Sequence, residues 1–356
     1  MKKVIFISAL AIAAAASCTK SDIVDTKFNE AISFETYAGR DAMTKATPYG
    51  KNALPSSAGV YGFYTGNDVW KENTTPNLWA NLELTIADDG NGTYDASETK
   101  YWTNASDKYS FLAYAPFAED NNLVASTGAN PTVTYTVPAE LDDQIDLLYA
   151  NTPADANGAN GHINMVKPSD DAVNLKFMHA LSRITVKAVD SVDDLYTYKV
   201  YGVSISGDFT TEGKLTLKTN GWEATENDKT SETYVFATNS DNAAGQPVPA
   251  ATTEAPYGYD FAGEDNYLMI IPTTFTEEKP ATLTVVYTTI FDNHESTKMT
   301  KTLDIATAFA QGSAYSLNLA FAPNTEHPIS FTVSVSDWAA ETNVPAGNPE
   351  NGEEVK

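Results

Sequence analysis

The stretch RITVKAV, residues 183–189, alternates apolar and polar residues, and this alternation decides the fold class. Successive side chains of a β-strand point to opposite faces, so Ile184 and Val186 would lie on one face and Thr185 on the other. The same period of two recurs in TVTYTV (132–137), GKLTLK (213–218), ATLTVVYTTI (281–290), AYSLNLA (314–320) and ISFTVSVSDW (329–338). No long helical periodicity occurs, and clusters of Gly, Asn, Asp and Pro separate the stretches. The sequence therefore predicts an all-β protein whose sheets pack face to face.

The first residues, MKKVIFISALAIAAAASCTKSD, have the features of an export signal. Two lysines precede an apolar run that is too short to span a bilayer of roughly 30 Å as a helix. Ala16, Ser17 and Cys18 resemble the box of bacterial lipoproteins, in which the cysteine becomes the first mature residue and its thiol takes a diacylglycerol. We predict a signal peptide over 1–17 and lipidation of Cys18, with ordinary signal cleavage near Ala16 as the alternative. Cys18 is the only cysteine, so no disulfide can form within the chain.

The chain is strongly acidic. Its formal net charge is −25, and loss of Lys2 and Lys3 with the signal would make it −27. Such a charge repels nucleic acid and anionic lipid head groups, so nucleic acid is not expected as a partner, and membrane attachment would depend on acyl chains. Because 42% of the residues are hydrophobic, the chain has enough apolar content for a folded core.

Residues that carry out catalysis or hold metals are scarce. The four histidines, His162, His179, His294 and His327, have no partner at metal-ligand spacing, and no HExxH, GxSxG, P-loop or CxxC motif is present. We predict no catalytic residue, no metal and no cofactor, and we expect His179 to be a packing histidine at the edge of a strand. The stretch DDGNGTYD (88–95) contains side chains that calcium prefers, but it fails the EF-hand pattern and is better interpreted as a hairpin turn.

The aromatic residues of GVYGFYTGNDVW (59–70) allow two interpretations. Exposed rings could stack on sugars, as a carbohydrate-binding surface would need. Rings at this spacing in a β-rich chain are more often part of the core, and we expect a core position.

Several segments, taken in order, resemble the fimbrillin family of Bacteroidetes, the Mfa-like lipoproteins. The segments are AISFET (31–36), YWTNASDKYSFLAYAP (101–116), DLLYA (146–150), NLKFMHALSRITVKAV (174–189), LMIIPTTF (268–275), GSAYSLNL (312–319) and VSVSDW (333–338). The resemblance implies a pilus subunit made of two transthyretin-like β-sandwich domains in tandem. It also implies export as a lipoprotein to the outer membrane and removal of the leader by a trypsin-like protease. We place the leader at 18–45, the two domains at 46–179 and 180–338, and a polar tail at 339–356.

The leader contains a strand-like segment that ends just before a candidate cleavage site. Ile32 and Phe34 alternate with polar residues and would plug the core of the precursor. Cleavage after Arg40, one of only two arginines, or after Lys45 would leave an open edge and an apolar groove. A strand from a neighbouring subunit could fill the groove, and head-to-tail repetition of this donor-strand contact would grow a filament.

The donor strand comes from the C-terminal region in the resembling family. In this chain the candidate plug residues of that region are Ile329, Phe331, Val333 and Val335. They could instead form the last strand of their own domain. The favoured function is a structural subunit of a surface fimbria, stalk or tip, that binds other fimbrial subunits and serves adhesion. The alternative is a lipid-anchored surface binding protein, for example for glycan, that keeps its N-terminal strand and never polymerises.

Overall fold

The computed structural model describes residues 30–38, 56–71, 74–118, 122–169, 172–190, 196–224, 228–237, 244–252, 258–261, 267–321 and 329–338. The described strands, in chain order, are β1 (Ser33–Ala38), β2 (Ser57–Gly66), β3 (Trp79–Ile86), β4 (Asn91–Thr93), β5 (Lys108–Ala115), β6 (Leu123–Ala125), β7 (Thr132–Thr136), β8 (Leu148–Ala150), β9 (Ala172–His179), β10 (Ser182–Asp190), β11 (Tyr196–Thr210), β12 (Glu212–Thr216), β13 (Gly221–Glu223), β14 (Lys229–Ala237), β15 (Gln246–Pro247), β16 (Tyr259–Asp260), β17 (Leu268–Ile270), β18 (Thr273–Thr274), β19 (Ala281–Phe291), β20 (His294–Glu295), β21 (Met299–Ile305), β22 (Ala308–Phe309), β23 (Ser313–Phe321) and β24 (Ile329–Asp337). Two short 3-10 helices, Ala96–Glu98 and Leu141–Asp143, accompany them.

The predicted all-β class is confirmed, because strands make up nearly all of the regular structure in the described residues. Among these residues no helix is both long and apolar enough to cross a membrane. The finer expectation of two transthyretin-like sandwiches in tandem stays a prediction.

The N-terminal strands form a ladder that closes on itself. Its order is β1-β4-β3-β2-β5-β8-β9, and β9 pairs with β1 again to complete the ring. Neighbouring strands are antiparallel except β1 and β9, which run parallel from Ser33 opposite Ala172 to Ala38 opposite Phe177. The first described strand, β1, is therefore the element that closes this sheet.

The C-terminal strands form two larger sheets. One has the order β16-β10-β23-β24, with β17 also paired to β10, and the other has the order β14-β11-β19-β20, with β15 paired to β11 and β21 paired to β19. A smaller sheet, β13-β12-β7-β6, combines strands from before and after residue 180. The predicted domain boundaries, including the one near residue 180, stay predictions.

Two clusters of buried side chains form the described core. One fills the closed N-terminal ring, and the other extends from Tyr61 to Trp338 beneath the remaining sheets. The strand β10 differs from the expectation of one polar face, because Arg183 and Thr185 are buried as well. The reason is that β10 lies inside its sheet and that the rings of Tyr267 and Trp338 cover the guanidinium of Arg183.

Candidate functional site

The strand β1 lies in a slot between β9 and β4. On one side it pairs in parallel with β9, and on the other side Phe34 lies opposite Gly92 and Glu35 opposite Asn91 in an antiparallel pair with β4. Both main-chain edges of β1 are thus occupied over at least part of its length. Removing this one strand would separate β9 from β4 and open the ring.

The inward side chains of β1 and of the residue before it are completely enclosed. Ile32 is 0% exposed and Phe34 is 2% exposed, and Thr36 is buried as well. The ring of Phe34 lies among the rings of Trp79 at 5.7 Å, Tyr94 at 6.0 Å and Phe111 at 5.6 Å between centroids. Such tilted and edge-on pairs contribute beyond the apolar area that they bury. We call this set of three rings the Phe34 seat.

Polar contacts hold the two ends of β1. Near its start, the amide of Ile32 donates to the carbonyl of Lys100 at 2.9 Å, and the hydroxyl of Tyr94 donates to the carbonyl of Ile32. Near its end, the amide and hydroxyl of Thr36 both donate to the carbonyl of Gly90, at 2.8 and 2.9 Å. Gly90 has φ +86°, and a Cβ there would come within 2.5 Å of the Thr36 carbonyl. Only glycine allows this turn to approach the strand so closely.

The turn that contains Gly90 is the stretch DDGNGTYD. It joins β3 to β4 as an antiparallel hairpin, in agreement with the interpretation of this stretch as a turn. The carboxylate of Asp89 accepts a hydrogen bond from the amide of Asn91 at 3.0 Å. The turn therefore shapes one wall of the β1 slot.

The candidate processing and lipidation residues lie outside the described residues. The structure describes 30–38 and then resumes at 56, so Arg40 and Lys45 fall in the interval between β1 and β2. Cys18 also lies outside the described part of the chain. Their roles stay predictions.

The candidate donor residues lie in β24, the last described strand. It pairs antiparallel with β23 of the same chain, from Phe321 opposite Ile329 to Ser313 opposite Asp337, and it ends the order of its sheet. Ile329 is buried, Phe331 and Val333 are half-buried against the core, and Val335 is 48% exposed. β24 therefore belongs to a sheet of its own chain. On one of its faces, the side chains of Phe331, Val333 and Val335 are only partly buried.

A cluster of side chains holds the C-terminal end of β24. The ring of Trp338 stacks on the ring of His179 at 4.1 Å with an interplanar angle of 4°. Nδ1 of His179 lies 3.0 Å from a carboxylate oxygen of Asp146, and the guanidinium of Arg183 lies 5.5 Å from the ring of Trp338. His179 is therefore a packing histidine with a hydrogen-bonded ring, as expected, and it joins the end of β9 to the end of β24.

Two other histidines, His162 and His294, lie in the described part of the chain. His162 is fully buried, and its Nδ1 donates to the carbonyl of Phe111 at 2.7 Å while its Nε2 accepts from the amide of Thr152 at 3.1 Å. Burial lowers the pKa of His162 to about 4. His294 is exposed, and His327 lies outside the described residues. In the described part of the chain, no three His, Cys, Asp or Glu side chains are arranged to hold a metal ion.

The aromatic stretch 59–70 is mostly core. Tyr61, Phe63 and Trp70 are buried, in agreement with the core interpretation. A cleft of about 650 Å³ lies elsewhere, along β3, and its lining includes Trp79, Tyr94 and the carboxylates of Glu83, Asp95 and Glu98. Two rings of the Phe34 seat thus border this cleft as well.

Sequence reasoning missed the residues that form the slot. The three rings of the Phe34 seat come from β3, β5 and the residue after β4, and no local motif connects them to β1. The parallel partner β9 lies far along the chain, so only the burial of Ile32 and Phe34 was open to prediction from their alternation.

Comparisons with known proteins agree with this architecture. A family model described as fimbrillin-like matches residues 44–338. The fold is similar to that of a fimbrial protein from Bacteroides vulgatus, with 20% identity and a TM-score of 0.65 over 87% of this chain and 100% of that chain. It is also similar to that of a protein proposed to act in cell adhesion from Bacteroides uniformis, with 17% identity and a TM-score of 0.51 over 87% of this chain and 98% of that chain. No curated protein matches the sequence. At these identities the two structures bear on the fold alone.

Proposed function

Since the chain belongs to the fimbrillin-like family, whose model matches residues 44–338, we propose that it is a structural subunit of a surface fimbria that serves adhesion. In this proposal the protein binds other fimbrial subunits and catalyses no reaction. It reaches the outer membrane as a lipoprotein anchored through Cys18. A trypsin-like protease then cuts after Arg40 or Lys45.

The observation that carries the proposal is the position of β1 as the closing strand of the ring. A strand that is buried on its inner face and paired on both edges leaves an apolar groove and two open edges when it departs. A strand from another subunit can restore the main-chain hydrogen bonds and fill the pockets for alternate side chains. The candidate donor is the C-terminal strand with Ile329, Phe331, Val333 and Val335. Because each subunit fills the next, the contact does not close and a filament grows.

The cut has to fall between β1 and β2 for this mechanism to work. Arg40 and Lys45 are in that interval, so cleavage after either would detach β1 from the rest of the fold without cutting any other described strand. The detached strand would still be held by its hydrogen bonds and by Ile32 and Phe34. Each of these side chains contributes on the order of 1.5–3 kcal/mol when fully buried. Exchange for a new strand is therefore expected to be slow without assembly machinery.

The experiment that tests this function compares the surface protein of cells that express the natural chain or an Arg40→Gln, Lys45→Gln double variant. We expect material recovered from surface filaments to begin at residue 41 or 46 and to migrate as ladders that resist mild denaturant. The double variant should stay monomeric and keep residues 31–37. A Lys51→Gln variant, which changes a lysine beyond both sites, serves as the matched control and should assemble normally.

If the double variant still assembles, or if the natural protein recovered from the cell surface retains residues 31–37 uncut, the fimbrial mechanism is wrong. The second result favours the alternative of a tethered surface binding protein that keeps β1. The cleft along β3, which has Trp79 and Tyr94 in its lining together with carboxylates, is where glycan binding by that protein would first be measured.

A further inference from the structure

The strand β3 has a main-chain edge that lacks a partner over most of its length. It pairs with β2 from Trp79 to Thr85, but with β4 only at Thr85 and Ile86. The strand β4 ends at Thr93, and in the described part of the chain no other strand pairs with this side of β3. The wall of the N-terminal ring therefore has a gap beside the first part of β3.

The main-chain groups of Glu83 point into this gap. Along an antiparallel strand, successive residues direct their N–H and C=O groups alternately to one neighbour and to the other. On the β2 side, the amide of Ile86 donates to the carbonyl of Ser56 at 2.7 Å, and on the β4 side the amide of Ala87 donates to the carbonyl of Asn91 at 2.9 Å. Glu83 lies an even number of residues before Ala87, so its N–H and C=O face the β4 side, where no described residue pairs with them. Such an open edge is a template for another strand.

Two features hold the gap open. Asn81 is an extra residue in β3 at the point where the register with β2 shifts, and its φ of +70° marks a bulge, which bends and twists a strand. The opposite wall, residues 94–98, turns away into a 3-10 helix whose N-cap is Asp95. That wall is also tied to β1, because the hydroxyl of Tyr94 donates to the carbonyl of Ile32. Closing the gap would therefore require breaking contacts on both sides of it.

The gap coincides with the cleft along β3. The cleft has a volume of about 650 Å³, which is within the range of ligand-binding clefts. Glu83 contributes a carboxylate from β3, and Asp95 and Glu98 contribute carboxylates from the opposite wall. Among the described residues that line the cleft there is no Lys, Arg or His. This lining attracts a cationic ligand and repels an anionic one.

We propose that the cleft binds an extended, lysine- or arginine-rich segment of another protein as an added strand on the edge of β3. Main-chain pairing would take place at Glu83, with cationic side chains beside the three carboxylates of the cleft. A second copy of this chain fits poorly, since it has 47 Asp and Glu residues against 22 Lys and Arg. The inference goes beyond the proposed assembly, because the edge of β3 is open while β1 fills its slot.

A sugar fits this lining less well than a peptide strand does. Trp79 is only 4% exposed, and the ring of Tyr94 packs edge-on against the rings of Phe34 and Trp79. Little aromatic surface is therefore left for stacking on a sugar ring. An unpaired main-chain edge, in contrast, is the feature that an extended peptide uses for binding.

Titration with synthetic peptides tests the inference on uncut, non-lipidated protein that carries Cys18→Ala. The probe is a labelled hexapeptide of alternating threonine and lysine, followed by fluorescence anisotropy at about 0.15 M salt. We expect saturable binding at a single class of site, together with slower amide hydrogen exchange at Glu83 in the complex. The same peptide with every main-chain nitrogen methylated keeps its charge but cannot donate to β3. It should bind about tenfold more weakly, or worse.

Two double variants separate the cleft from the acidity of the whole chain. The variant Glu83→Gln, Glu98→Gln removes two carboxylates from the cleft. The matched control Glu277→Gln, Glu278→Gln removes the same charge from an exposed turn between β18 and β19. We expect the first to weaken peptide binding about three- to tenfold and the second to leave it nearly unchanged. All four side chains belong to exposed residues, so both variants should keep the natural urea midpoint.

Several results would overturn the inference. Equal binding of the methylated peptide would mean that charge alone attracts it, and equal weakening in the two double variants would place the binding elsewhere. Absence of peptide binding would remove the site, and binding of a neutral oligosaccharide instead, lost in the cleft variant, would assign the cleft to a sugar. None of these results bears on assembly, because every measurement uses uncut protein that keeps β1. The proposed fimbrial function therefore stands or fails on its own experiment.

Discussion

Replacing Phe34 by alanine is the sharpest perturbation of the β1 slot. The Phe34 side chain is 2% exposed and lies within 6.0 Å of three aromatic rings, measured between centroids. Deleting a buried phenylalanine side chain costs about 3–5 kcal/mol, because the apolar transfer energy is lost and a cavity remains. We expect Phe34→Ala to lower the free energy of unfolding of the uncut protein by this amount, or by less where β1 can detach without unfolding the rest.

The same substitution should act more specifically after the cut. Once the chain is cleaved between β1 and β2, no covalent link through this segment holds β1. The free energy lost with the Phe34 side chain then appears as weaker binding of β1 to its slot. At about 1.4 kcal/mol per factor of ten, a loss of 3–5 kcal/mol weakens the binding of β1 by about a hundred- to a few-thousand-fold. β1 should then leave cut Phe34→Ala protein far more readily than it leaves the natural protein.

Two measurements check these values. Urea unfolding of the uncut protein, followed by tryptophan fluorescence, gives the change in free energy, and Trp79 in the Phe34 seat contributes to the signal. Mass spectrometry of the cut protein after gel filtration gives the fraction that retains the peptide ending at Arg40. Glu35→Ala is the matched control, because Glu35 is half-buried on the opposite face, and it should change stability by less than about 0.5 kcal/mol.

The reasoning would be refuted if Phe34→Ala and Glu35→Ala had the same effect. Equal retention of the peptide in the two cut variants would mean that the Phe34 seat does not hold β1. Loss of the peptide from both variants at the same high rate would mean that the main-chain ladders alone determine its release.

Three further predictions concern other parts of the chain. Trypsin should cut the folded, non-lipidated protein first after Arg40 or Lys45 and spare Arg183, which is 5% exposed, and an early fragment that ends at Arg183 would contradict this. Cys18→Ala should abolish lipid labelling and surface display without changing the urea midpoint of the isolated protein, since no disulfide within the chain is possible, and a shifted midpoint would contradict this. Because burial lowers the pKa of His162 to about 4, the unfolded chain binds a proton near pH 6.5 that the folded chain binds only near pH 4. Stability should therefore fall as the pH drops between these values, by up to about 1.4 kcal/mol per pH unit, and the same pH dependence of the urea midpoint in His162→Gln would contradict this assignment.

The sequence alone predicts the local part of this architecture, namely where several strands form and which of their side chains are buried. Alternation predicts the strands TVTYTV and GKLTLK, and the structure buries Val133, Tyr135, Leu215 and Leu217 on the expected faces. The order Ile32, Ser33, Phe34 likewise indicates which side chains of β1 face inward. Each of these features depends only on the alternation of apolar and polar residues within one segment, so that segment alone is enough to predict it.

The partners of those strands could not be predicted in the same way. β1 pairs in parallel with β9, and nothing in either segment specifies the other. The burial of Arg183 follows from rings at 267 and 338, which come from distant parts of the chain. Non-local pairing is a property of the whole set of strands, so composition and periodicity leave it open.

The tripeptide Ile-Ser-Phe occurs at 32–34 in β1 and again at 329–331 in β24, the candidate donor, and this repeat gives the proposed cut a thermodynamic role. Two occupants that present the same isoleucine and phenylalanine to one slot gain nearly the same free energy from it, so their contacts alone do not decide which one is bound. A covalently attached β1 has an effective concentration on the order of millimolar, which exceeds that of a neighbouring subunit at about 1 μM by about a thousand-fold, or about 4 kcal/mol. Cleavage between β1 and β2 removes this advantage and leaves β1 to compete as a free peptide that dilutes away. The donor, in contrast, stays attached to a subunit. A single peptide bond can thus change the favoured occupant without altering any residue of the slot.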